Sequence, residues 1–177
     1  MFEVDELVAD CRLALTESQP VLAIKEIVAR AIAKPDEVAT ALRAQPGVEV
    51  LHRSPELTIV SVVLPAGLPP TLPHDHRMWA VVGIYGGQED NQFFRRAGAG
   101  LAESGGRSIR ISETLAMGDD TIHAICNPLD HESLAAIHVY GGDLVAEARS
   151  MWTRPDFEEQ PYDDTKVVGR GGIRGAR

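Results

Sequence analysis

The hydrophobic pattern changes period once, near residue 47. Before that point apolar residues recur at three- and four-residue spacings. Leu7, Val8, Cys11, Leu13 and Leu15 form one set; Val21, Ile24, Ile27, Val28 and Ile32 resume it after the Gln19-Pro20 break. This spacing predicts two helices. Pro35-Asp36-Glu37 opens a third through Val38, Leu42 and Arg43, because proline fits a first turn and acids there meet the positive end of the helix dipole. Pro46-Gly47 ends the helical part. From Val48 short β-rich runs take over: Val48–Leu51, Leu57–Leu64, Met78–Tyr85, Gln92–Arg95, Ser108–Ile111, Thr121–Ile125 and Leu134–Tyr140. Turn signals separate them, among them Pro65-Ala66-Gly67, Gly86-Gly87, Gly98-Ala99-Gly100, Gly105-Gly106 and Gly118-Asp119-Asp120. Short strands at this spacing predict a mainly β sandwich or barrel rather than a βαβ sheet. After Gly141-Gly142, Asp143–Trp152 reads as a short helix or extended cover. The expected organisation is one domain, with a helical segment over 1–46, a barrel over 47–142, and a C-terminal cover and flexible tail over 143–177.

Composition narrows the function classes. The chain has 177 residues, 44% hydrophobic and 24% charged, the balance of a globular domain with its own core. A net charge of −9 argues against nucleic acid, whose phosphates require clustered Lys and Arg. The only basic concentration is the Gly/Arg-rich end from Gly169 to Arg177. Two cysteines, Cys11 and Cys126, make no disulfide framework, and both read as small buried hydrophobes. The acidic N-terminus lacks the basic start of a secretory signal, and no run approaches the roughly 18 apolar residues of a membrane span. The expectation is a cytoplasmic protein with no membrane or nucleic-acid partner, a monomer or homodimer.

The candidate chemistry lies in three histidines. In His74-Asp75-His76 the first and third residues project to one face of an extended chain, so both imidazoles can reach one ion while Asp75 points away. His123, in a later β-run and followed by Asn127 in a His-x-x-x-Asn pattern, is the candidate third ligand. Two imidazoles from one strand and one from a neighbour form a facial set with open positions opposite, as a metal that binds substrate and O2 requires. His-x-His alone is equally a surface pair. What favours a metal is its combination with a Pro-rich entry, a β-run ending in Gly86-Gly87, and His-x-x-x-Asn after a Gly-Asp-Asp turn. His131, between Asp130 and Glu132, reads as exposed, and His52 as packed on a strand.

The stretch from Gly67 to Asn127 resembles the two sequence motifs of the cupin superfamily, whose fold is a double-stranded β-helix, or jelly-roll barrel. The order His-Asp-His, His-x-x-x-Asn, then His138-Val139-Tyr140 is similar to the cysteine dioxygenase branch of thiol dioxygenases. The resemblance covers residues 48 to 142, and the helical N-terminal segment is of similar character. It implies an Fe(2+) site on His74, His76 and His123, with Ni or Zn as substitutes in a purified sample. It also implies His138 and Tyr140 as catalytic hydrogen-bond groups beside the metal, and a small thiol oxidised by O2 to a sulfinate. Arg53 is similar in place to that branch's carboxylate-binding arginine; Arg95, Arg96 and Arg149 are further candidates, while Arg77 and Trp79 read as outside the pocket.

Four departures qualify the resemblance. Ala80 and Val81 stand where most cupins carry a glutamate ligand, and Glu89 and Asp90 lie beyond the Gly86-Gly87 turn, so a neutral three-imidazole site is expected. Such a site favours a substrate with its own negative charge, as a thiolate has. Gly118-Asp119-Asp120 replaces the usual Pro-x-Gly. Ala136 stands where the relay usually has a serine, and residues 77 to 95 contain no cysteine to cross-link Tyr140. The alternatives are another three-histidine cupin dioxygenase and a non-catalytic cupin that binds a metal or small ligand.

Overall fold

The computed structural model, which describes residues 1–43, 45–168 and 172–175, divides where the hydrophobic period changes. Helices α1 (Val4–Ala14), α2 (Pro20–Ala31) and α3 (Pro35–Leu42) come first, the last two with proline in their first turns. Strands follow: β1 (Gly47–Arg53), β2 (Thr58–Leu64), β3 (His74–Asp75), β4 (Ala80–Gly86), β5 (Gln88–Ala97), β6 (Gly100–Arg110), β7 (Thr114–Met117), β8 (Ile122–Cys126), β9 (Leu134–Tyr140), β10 (Ser150–Thr153) and β11 (Glu158–Pro161). A short α4 (Asp164–Val167) and β12 (Ile173–Arg174) complete the described chain. No helix is long and apolar enough to cross a membrane among the described residues.

The described strands form two six-stranded sheets, ordered β12-β1-β2-β9-β4-β7 and β11-β10-β3-β8-β5-β6. The chain crosses between them repeatedly: β2, β4, β7 and β9 lie in the first, β3, β5, β8 and β10 in the second. That alternation winds the double-stranded β-helix, so the fold is mainly β, a jelly-roll barrel preceded by α-helices. Side-chain alternation makes the first sheet two-faced. Val60, Val62, Leu64, Ala80, Val82 and Ile84 pack in one cluster inside the barrel. Ile59, Val81, Ile137 and Val139 pack with Ile24, Val28, Ile32 and Val38 of the helical layer. This explains why Leu57–Leu64 is apolar on both faces apart from Thr58 and Ser61, and buried throughout: both faces are covered. Each fully buried aliphatic side chain of that seam contributes about 1.5–3 kcal/mol of transfer free energy. The helices approach closely at Gly83, where an added Cβ would lie 2.4 Å from Val28 Cγ1.

Three expectations change. The hairpin of β5 and β6 is far longer than the runs Gln92–Arg95 and Ser108–Ile111, because its polar residues carry no hydrophobic alternation. Gly105-Gly106 is not its turn: Gly106 pairs with Gln92, and Gly105, at φ 140°, sits at a bulge where the register shifts between Phe93 and Phe94. Over Asp143–Trp152, of the two expected forms the extended cover is the one present. Asp143 Oδ1 accepts from the Val145 and Ala146 N–H groups to close one turn, and the chain then extends into β10. Within the Gly/Arg-rich tail expected to be flexible, β12 pairs in parallel with β1; residues 169–171, 176 and 177 lie outside the described residues.

Candidate metal centre

The three histidines come together from two adjacent strands. His74 on β3 lies directly opposite His123 on β8, and His76 follows β3 at the same-face spacing. All three are buried, and their ligand nitrogens lie within 4.8 Å of one another. Asp75 points the other way, as its place between them requires: Oδ1 accepts from Ser150 N at 2.7 Å and Oδ2 from Arg77 Nε at 3.1 Å. The Pro-rich entry is stitched across β8, with Thr71 N donating to Ile125 O and Ile125 N to Thr71 Oγ1. Asn127 explains the second motif. Its amide donates to the carbonyls of Pro65 and Glu132, closing the loop behind β8.

Hydrogen bonds fix which nitrogens face inward. His74 Nδ1 donates to Leu72 O at 3.0 Å, and His123 Nδ1 donates to Asn91 Oδ1 at 2.8 Å. Asn91 Nδ2 in turn donates to Glu89 Oε1 at 2.8 Å, which orients the amide. Both Nε2 atoms therefore present lone pairs. Burial pushes the His74 imidazole down to about 4, and pushes His76 and His123 well below their ordinary value, aided by neighbouring imidazoles. His76 Nε2 and His123 Nε2 stand only 3.3 Å apart. Converging neutral donors in a dry site fit a divalent cation, and their N₃ set with no carboxylate suits a first-row transition metal.

Beside this cluster stands a second set. The Tyr140 ring packs edge-on to His76 with centroids 4.9 Å apart, and its hydroxyl lies 3.0 Å from His138 Nδ1. Burial pushes the Tyr140 phenol well above its ordinary range, so it stays protonated. His138 and Tyr140 line a cavity of about 40 Å³ with the three histidines, apolar walls including Val60, Val62, Leu64 and Leu144, and Arg149.

Arg53 is not in that lining. Its Nε bonds Asp143 Oδ1 at 2.8 Å on the surface, with the side chain 30% exposed. Arg96 pairs with Glu159 outside the barrel. Arg149 is the cation that reaches the cavity: it is 8% exposed, its guanidinium stacks over Tyr162 at 3.6 Å, and its Nε has no hydrogen-bond partner. Pairing of Met151 with His74 and the Ser150–Asp75 bond hold it there. Arg149 and Tyr162 also line an outer groove of about 600 Å³, so they separate the cavity from that approach. The sequence reading missed Glu89, Asn91 and Tyr162, and gave Arg149 no preference. No signal in the sequence could have found Glu89 and Asn91: the run Gln88–Gln92 is polar throughout, and only the packed strand buries these two of its five positions. His131 is exposed, and His52 is half-buried on β1. Cys11 is buried, its thiol pushed up to about 12, and half-buried Cys126 is raised as well. Trp79 packs with the helical layer against Gly141, outside the cavity.

No family model matches the chain. Solved structures similar to it include the DMSP lyase DddQ from Ruegeria pomeroyi DSS-3, at 19% identity and TM-score 0.42 over 54% of this chain; the chain spans 43% of that protein's length. Another is an RmlC-like cupin family protein with a double-stranded β-helix fold from Methanocaldococcus jannaschii, at 16% identity and TM-score 0.46, covering 57% of this chain and 84% of the other. A third is protein NMB1881 from Neisseria meningitidis, at 16% identity and TM-score 0.45, covering 62% and 97%.

Proposed function

We propose that this protein is a non-haem iron dioxygenase that oxidises the sulfur of a small anionic thiol to a sulfinate. One observation carries the reading: three neutral imidazoles converge without a carboxylate among them, and a hydrogen-bonded His138–Tyr140 pair lies against one. A neutral donor set leaves the charge of a divalent ion to be met by the substrate, and a thiolate meets it. When bound, Fe(II) supplies the electrons that activate O2 and the Lewis acidity that keeps the thiol deprotonated. The chain's residues do the rest. His74 and His123 are held in one tautomer by their Nδ1 bonds. Tyr140 stays protonated and is held beside the reacting groups by the bond between its hydroxyl and His138 Nδ1. Arg149 meets the carboxylate of the substrate, the role that the resemblance gives to Arg53, and Val60, Val62, Leu64 and Leu144 keep water out.

The balance is one thiol and one O2 to one sulfinic acid, with both oxygen atoms retained. The test is O2 uptake and sulfinate formation by anaerobically prepared, iron-loaded protein with cysteine, 3-mercaptopropionate and cysteamine. Turnover of the two carboxylated thiols over cysteamine is expected. No uptake with any of the three overturns the assignment and leaves a metal-binding module.

A further inference from the structure

The least expected side chain near the metal centre is Glu89. It is completely buried on β5. Oε1 accepts from Asn91 Nδ2, whereas Oε2 has no hydrogen-bond partner. Facing it at 3.5 Å is His138 Nε2, also buried and also without a hydrogen-bond partner. Two unmet polar atoms that face each other in a dry interior are a pair a small closure would satisfy, and buried polar groups are seldom left unmatched.

We propose that Glu89 is a positioning residue for the metal centre, acting on His123 through Asn91 and on Tyr140 through His138. The first arm works through amide orientation. Because Asn91 commits Nδ2 to Glu89, it can offer only Oδ1 to His123, and His123 must carry its proton on Nδ1. Without the carboxylate the amide is free to flip, and a flipped amide favours the tautomer whose Nε2 cannot ligate. The second arm holds His138 at both ring nitrogens, Nε2 toward Glu89 and Nδ1 toward the Tyr140 hydroxyl. His138 therefore stays a hydrogen-bond group and does not swing to the ion as a fourth imidazole. Both arms begin at one carboxylate because alternation along β5 puts Glu89 and Asn91 on the same inward face. Glu89 also supplies, from another strand, the polar anchor that Ala136 lacks. The His138 arm rests on the thiol-oxidation reading; the Asn91 arm needs only the metal site.

The test is Co(II) titration of the metal-free full-length protein, reading both affinity and the visible ligand-field spectrum. Glu89→Leu removes both bonds at similar volume and should weaken cobalt binding about 10- to 100-fold with an altered spectrum, the range for loss of a group that orients a ligand. Glu89→Gln keeps an acceptor for Asn91 and gains a donor for His138 Nε2, and should restore the wild-type spectrum. Wild-type affinity and spectrum in folded Glu89→Leu overturn the proposal, as does failure of Glu89→Gln to rescue. If Glu89→Leu does not fold, Glu89→Asp decides: it keeps the charge but withdraws both oxygens, so it should behave as the leucine variant was expected to, and wild-type behaviour overturns the proposal. With saturating iron and 3-mercaptopropionate, Glu89→Leu should lower kcat with KM unchanged; unchanged kcat overturns the His138 arm. Absence of thiol oxidation by the wild type itself removes the functional reading and that arm with it, while the cobalt titration still decides the Asn91 arm.

Discussion

At the scale of single residues, the proposed function separates the three histidines that would hold a metal from the groups that would meet a substrate. His76→Ala removes one of three converging nitrogens and should abolish metal retention through gel filtration; an unchanged metal content by elemental analysis would remove His76 from the ligand set. Arg149→Gln should raise KM for a carboxylated thiol about 10- to 100-fold with little change in kcat, the loss of a charge-assisted bond of roughly 1.5–3 kcal/mol. Arg53→Gln should leave KM within about twofold, because Arg53 is outside the cavity lining and its bond to Asp143 is a partly exposed ion pair. The two arginines show where residue-scale reading stops. Arg53 is closer in the chain to the ligand pair, yet only the pairing of Met151 with His74 decides which guanidinium enters the cavity.

At the scale of elements, two contacts hold the barrel's flanks. Helix α2 rests on β4 at Gly83, where an added Cβ would meet Val28 at 2.4 Å. Gly83→Ala should cost about 1–3 kcal/mol by overpacking, and Val28→Ala should recover part of it in a double-mutant cycle by chemical denaturation. Additive effects would show that helix and strand do not press on each other there. On the other side, Glu159 of β11 binds Arg96 of β5 and Ser150 of β10, and these bonds, Arg96 first, hold its carboxyl down to about 2. A carboxyl depressed in the fold stabilises it above its ordinary value near 4.5 and loses that contribution as pH falls toward 2. The side chain is 38% exposed, so solvent screening keeps the effect small. Glu159→Gln should lower stability by up to about 1 kcal/mol at pH 7. The gap between variant and wild type should narrow below pH 4.5 in thermal melts; a gap that widens there would show that the charge does not stabilise.

At the scale of the whole molecule, the candidate metal centre joins the neighbouring strands β3 and β8, so a metal bound there would be linked to folding. A divalent ion at about 100 times its dissociation constant should stabilise the fold by about 2.7 kcal/mol, and chelation should reverse the shift in melting temperature. No shift in His76→Ala under the same conditions would be the matching control. The sequence by itself determined the helix-to-barrel change at Gly47, the mainly β class and the three histidines with Asn127. Each rests on short-range chemistry: an apolar period, a proline at a first turn, or same-face spacing of neighbours. Their failures are equally physical. Gly105-Gly106 is a turn by local preference and a bulge by pairing, and β5 and β6 run on through polar residues that no hydrophobic period marks. Glu89, Asn91, Arg149 and Tyr162 have no local mark of function, because their environment comes from strands far away in the chain. Only the tertiary structure decided that Glu89 and Asn91 of a polar run on β5 face inward and that Arg149, just before β10, reaches the histidine cavity, since burial and charge proximity are properties of packed strands and not of neighbours in sequence.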